Sequence, residues 1–263
     1  MEKYSAMTKK IKYLLFLILG TNFSMMAQLN VSHEIGAFIG GVAFQSDFGK
    51  RNNFDTNGGN VGFGIGLVHY VNFAFLSDGH YSTNTYFNDH FKLRSELSYN
   101  STKLEHFGKW AETNSTIGYQ LRAMKGEAKV TDIGMQLEYY PFSIREFSSS
   151  SNAFAPFISF GGHYSMFQNG TYSELGPMDT SISTPTKYYK SWSDSGGSTW
   201  SLLSSIGTRY KLTEDSDLFA EVRCQYYFSD WVDGLKPNPE VYTENKSNDW
   251  NLWFNFGYIY YLE

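Results

Sequence analysis

Ten charged residues fall on one parity of alternating segments: Glu34, Lys92, Arg94, Glu96, Asp132, Glu138, Arg209, Lys211, Glu221 and Arg223. They are five acids and five bases. Carboxylates beside bases serve either general acid–base chemistry or structural pairing. Other reactive side chains are scattered. His33, His69, His80, His90, His106 and His163 show no metal-ligand spacing with one another or with Cys or carboxylates. Ser is plentiful, but none sits in a nucleophile elbow. "FQSDFGKRNNFDTNGGN" offers Asp47 and Asp55 without the ligand order of an EF-hand. "GFGIG" resembles a phosphate loop only in its glycines, because alternation runs straight through it. We therefore expect no catalytic residue, no cofactor and no metal, and a chain that is not an enzyme. The ten charges read as a structural network.

The elements that position them follow from the period. "FKLRSELSYN" (91–100) sets Phe91, Leu93, Leu97 and Tyr99 against Lys92, Arg94 and Glu96. Such alternation marks a strand with two unlike faces. Eight such segments occur: Val31–Val42, Val61–Phe73, Phe91–Asn100, Val130–Tyr140, Pro156–Met166, Trp200–Lys211, Leu218–Phe228 and Trp250–Leu262. At about 11–13 residues they exceed the usual soluble strand of about 5–6 and suffice to cross a bilayer. Aromatics gather near their ends, as in an interfacial girdle. Polar links of about 17–32 residues alternate with shorter ones of about 6–17. Glycines at 62, 64 and 66 leave room for large side chains from neighbouring strands.

Composition and the N-terminus decide which face meets what. Aromatic and charged residues are each 18% of 263, and the mean hydropathy is -0.38. A helical membrane bundle is excluded, whereas a barrel, which shows lipid only alternate residues, is not. "TKKIKYLLFLILG" followed by "SMMAQ" reads as a secretory signal peptide cleaved after Ala27, with Met1 or Met7 as the start. The first 27 residues carry a net +3, so the rest stands at -8 against -5 for the whole. An acidic mature chain argues against nucleic acid. Cys224 is the lone cysteine, which excludes a disulfide framework.

The expectation is an all-β protein: residues 1–27 a signal peptide, and 28–263 an eight-stranded antiparallel transmembrane β-barrel. It would sit in the outer membrane, with long extracellular loops and both termini periplasmic. The ten charges then point into a lumen too narrow for anything but side chains. Lys92, Arg94 and Arg223 should pair with Glu96, Asp132, Glu138 and Glu221, since an unpaired buried ion is costly. The second long link, "KLEHFGKWAETNSTIGYQLRAMKGEAK", carries Leu104, Phe107, Trp110, Ile117, Tyr119, Leu121 and Met124. It is too apolar for a free loop, so it either folds over the rim or docks a partner. Leu104, Phe107 and Ala111 have the spacing of one helix face.

"HEIGAFIGGVAFQSDFG" after "AQ", with "LRAMKG" and "MQLEYYPF", resembles small outer-membrane barrels of the Bacteroidota. Among these it is similar to the PorG-like barrels linked to type IX secretion, or to an uncharacterised flavobacterial relative. The resemblance implies an eight-stranded barrel and transfers no catalytic residue. The expected partners are membrane lipid and, through the extracellular loops, envelope or secretion-system proteins. The expected role is a non-enzymatic scaffold or accessory component. The alternatives are a narrow pore for small solutes and a rim-located membrane hydrolase.

Overall fold

The computed structural model describes residues 31–262 except 51–52, 76, 79–80, 83–84 and 244–247; the signal segment 1–27 lies outside the described residues. The barrel strands are β1 (Ser32–Gln45), β2 (Val61–Asn72), β5 (Phe91–Glu105), β6 (Met124–Tyr139), β7 (Phe154–Ser173), β8 (Gly197–Thr213), β9 (Ser216–Tyr227) and β10 (Trp250–Leu262). They close in the order β1-β10-β9-β8-β7-β6-β5-β2, every neighbour antiparallel. Closure runs from His33 opposite Leu262 to Gln45 opposite Trp250. Closing a sheet removes its edges, so no row of backbone donors is left unpaired. A two-stranded ribbon, β3 (Ser77–Asp78) with β4 (Tyr81–Ser82), decorates the 73–90 connection.

Burial follows the sequence period. Ile35, Ile39, Phe63, Ile65, Leu67, Leu97, Ile133, Met135, Phe160, Ile206, Val222 and Phe256 are exposed outward, while the residues between them are buried or, at several glycines, half-buried. This is the inside-out pattern of a barrel in lipid. Aromatics rim the apolar belt at both ends. Tyr164 and Trp200 meet at one end, and Phe91 with Tyr139, and Phe154 with Tyr210, at the other. Inward glycines accept rings from neighbouring strands: a Cβ at Gly64 would strike Trp253, and one at Gly66 would strike Phe38.

Several strands run further than their alternation suggests, and for a physical reason. On β5 the outward face changes from Leu97 and Tyr99 to Ser101, Lys103 and Glu105, while Leu104 turns inward and is fully buried. On β6 the outward Lys125, Glu127 and Lys129 face water, and Met124, Ala128 and Val130 are buried inside. Lys125 pairs with Glu105 at 3.0 Å and Lys129 with Glu127 at 2.8 Å. Beyond the belt, polarity inverts to that of a soluble protein. The reversal hides the strand ends, so β5, β6, β7 and β8 reach 105, 124, 173 and 197 rather than 100, 130, 166 and 200.

The connections are also less asymmetric than expected. Residues 73–90 form a connection comparable to 106–123, holding the ribbon and a helix at Tyr86–His90. Only the β8–β9 link, at 214–215, is a tight turn.

Candidate functional site

The ten charged residues all point into the barrel and are buried. Their contacts form two linked clusters. In one, Arg94 reaches Glu221 at 2.9 Å, Glu96 at 2.8 Å and Glu138 at 3.4 Å. Arg223 reaches Glu96 and Glu221, each at 2.6 Å. In the other, Glu34 takes Lys92 at 2.6 Å and Arg209 at 2.5 Å. Arg209 joins the two, because it also lies 3.3 Å from Glu138. Strands β5 and β9 stand four places apart in a ring of eight, on opposite walls. The Arg94–Glu221 and Arg223–Glu96 pairs therefore span the full diameter.

Rings pack around these cations. The Arg209 guanidinium lies 4.1 Å from the Tyr70 ring, and Lys211 Nζ 3.9 Å from the Tyr261 ring. Arg94 and Arg223 lie against Phe38, at 5.5 Å and 5.4 Å. Asn255 and Ser205 donate to the remaining lone pairs of Glu221. The ion pairs tie these side chains to one another, and each charge depends on its neighbours, while the Nε atoms of Arg94, Arg209 and Arg223 have no partner among the described residues.

Two expectations about the network need correction. Asp132 joins no ion pair among the described residues; Ser165 and Gln225 donate to it instead, because β6 carries it above the level of the arginines. Lys92 pairs with Glu34 rather than with Glu96, Glu138 or Glu221; Glu138, its register partner on β6, is held by Arg94 and Arg209 instead. Sequence reading also missed Asp217, which lies 3.6 Å from Arg209 and 3.7 Å from Lys211. Its parity matches Glu221, but the clear alternation begins only at Leu218. Ser165 donates to Asp132, while the ring of the buried His163, two residues earlier on β7, lies with its Nε2 3.5 Å from Gln136.

The loop-end connections build a cap with its own apolar core. Phe44, Phe48, Leu104, Ala111, Leu121, Met124, Tyr188, Val232 and Leu235 pack together there. Ser115 caps the Thr116–Ala123 helix by accepting from the Gly118 N–H at 3.1 Å. Gln120 on that helix donates to the Ser181 carbonyl at 2.8 Å. The Asp47 N–H donates to Asp233 at 2.6 Å, and Tyr188 donates its hydroxyl to the Asp47 carbonyl at 3.1 Å. Ser193 and Lys236 N–H groups knit 174–196 to 228–249. Burial first, then Asp249 and Asp47, raise the pKa of Asp233 well above the usual carboxylate range.

The seven apolar residues of the second link divide. Leu104 and Met124 are strand residues, so Leu104, Phe107 and Ala111 share no helix face. Leu121 is buried in the cap, and Phe107 is half-buried. Trp110, Ile117 and Tyr119 remain exposed, Trp110 by 71%. At the opposite end Tyr140, Ile144, Phe147 and Phe157 form a second plug, tied by Arg145 donating to the Ala74 carbonyl at 2.6 Å. Among the described residues no group of three or more His, Cys, Asp or Glu is arranged to hold a metal.

No protein-family model and no curated protein matches the chain. Solved barrels resemble it distantly. A major outer-membrane protein of Thermus thermophilus is 12% identical with a TM-score of 0.47, over 88% of this chain and 99% of that one. Neisserial surface protein A is 16% identical at 0.44, over 87% and 96%. The outer-membrane enzyme PagL is 13% identical at 0.32, over 86% and 98%.

Proposed function

We propose that this chain is a sealed, non-enzymatic integral protein of the outer membrane, whose cap is its working face. It would enter through a cleaved signal segment, with its termini in the periplasm and the cap outside. The observation that carries this is the pair of diameter-spanning ion bridges in a lumen whose charged residues are all buried. A barrel so filled has nothing to conduct, and its charges are held by one another rather than offered to a substrate. What remains for a partner is the cap. Its structured core and exposed Trp110, Ile117 and Tyr119 suit a scaffold or accessory role in an envelope or secretion complex. The PorG-like resemblance points the same way.

The test is fractionation with crosslinking in the native cell. The protein should sit in the outer-membrane fraction and migrate faster unboiled than boiled, because a closed barrel resists detergent. A photocrosslinker at Trp110 or Tyr119 should trap an envelope protein, and one at Tyr260, on the outward apolar face at the other end of the barrel, should not. Recovery as soluble periplasmic protein would defeat the proposal.

A further inference from the structure

A cavity of 650 Å³ opens in the cap between the first three loop-end connections. That volume suits a small-molecule site. Lys50, Lys109 and Lys187 line it against the carboxylate of Asp55. This basic excess stands out in a chain of net charge -5. Lys50 and Lys109 make no ion pair among the described residues. Phe107 and the exposed Trp110 supply ring faces.

His106 forms the inner wall. It is only 8% exposed, with its ring 4.8 Å from Phe48 and 5.2 Å from Tyr188. Burial lowers its pKa to about 3, so the ring is neutral at physiological pH. A hydrogen bond to the Phe48 backbone favours the proton on the ring, and Nε2 is buried without a partner. A neutral imidazole donates from one nitrogen and accepts at the other. Nε2 is therefore an acceptor waiting for a donor, and a buried acceptor left unmet is costly.

These walls ask for three things in one ligand: a negative group, a hydroxyl and a flat apolar face. An apolar ligand would leave His106 Nε2, and the ammonium groups of Lys50 and Lys109, without an ionic or hydrogen-bonding partner. A simple anion would ignore the rings, and a neutral sugar the lysines. We propose that this cavity binds an acidic saccharide. Its carboxylate or phosphate lies against Lys50 and Lys109, a hydroxyl donates to His106 Nε2, and the sugar's C–H face lies on Trp110. The proposal rests on the cap standing outside the membrane, where such sugars occur as lipid headgroups or as free polysaccharide.

The test is calorimetric titration of the refolded full barrel in detergent at low salt. The probes are a hyaluronan tetrasaccharide and glucosamine 1-phosphate, with maltotetraose, inorganic phosphate and adenosine monophosphate as comparisons. Both acidic sugars should bind at least about tenfold tighter than the comparisons. Trp110→Ala and Lys109→Gln, both at exposed positions, should each weaken binding about tenfold with migration on gels unchanged. Vesicles containing lipopolysaccharide should displace the probe if the source is a headgroup; phosphatidylcholine vesicles should not. Displacement by neither assigns a free polysaccharide. Equal binding of maltotetraose, tighter binding of adenosine monophosphate, or unchanged affinity in both variants would overturn the saccharide. Loss of heat-modifiable migration by the unaltered protein would instead overturn the membrane reading.

Discussion

At the scale of single residues, the ion network makes unequal demands on its members. Arg94 touches three carboxylates, so Arg94→Ala strands more than one buried negative charge. We expect it to lower barrel stability by about 3–5 kcal/mol, somewhat less if water enters, read from urea unfolding in detergent. Asp132 is held by neutral donors only, so Asp132→Asn keeps most of its hydrogen bonding and should cost under about 1.5 kcal/mol. Equal losses in the two variants would mean that the ion pairs carry no special weight. Steric fit gives a second prediction. Gly64→Val places methyl groups where the Trp253 ring lies, and the inward ring has no free space to move into. It should block refolding or cost more than about 3 kcal/mol. Adding Trp253→Ala should restore part of that loss, a coupling measurable as a double-mutant cycle. The parity of the ten charges was legible in the sequence, because alternation alone fixes which wall a strand residue faces. Their partners were not. Pairing across a closed barrel depends on strand order and shear, which is how Glu34 came to hold Lys92 and Asp132 to stand apart.

At the scale of elements, the cap and the barrel should respond separately. Asp233 has a pKa above its ordinary 3.8, so the folded cap keeps a proton that the unfolded chain releases. Its favourable contribution is therefore present in acid and falls away as pH rises from about 4 towards the folded value. Protection against hydrogen exchange in 228–243, taken relative to the intrinsic rate at each pH, should be greater at mildly acidic pH than at neutral pH, and Asp233→Asn should flatten that dependence. Lower protection in acid would contradict the assignment. Removing 108–121 and bridging 107 to 122 with a short turn spares the Leu104–Gly126 and Glu105–Lys125 ladder positions. The shortened chain should still assemble and stay heat-modifiable, while the rest of the cap becomes sensitive to protease. Strand existence was plain from the sequence, and β10 was legible to both ends, because its outward face stays apolar throughout. The cap was not. Above the belt the same strands reverse their polarity, so Leu104 and Met124 read as loop residues. The cap core also draws Phe48, Leu121, Tyr188 and Val232 from four separate connections, and no local pattern announces such a meeting.

At the scale of the whole molecule, the chain is a cylinder with three filled sections. A plug around Tyr140, Ile144, Phe147 and Phe157 closes one end, the ion network fills the middle, and the cap closes the other. The apolar belt faces outward along the middle section, and the exposed charges of β5 and β6 begin where it stops. The form is that of a transmembrane barrel whose lumen is also its core. Conductance across a planar bilayer tests this most directly. The refolded protein, shown on a gel to be heat-modifiable, should insert and give no steady current steps in concentrated potassium chloride. Reproducible steps whose size scales with salt concentration would contradict a sealed lumen and make the barrel a pore.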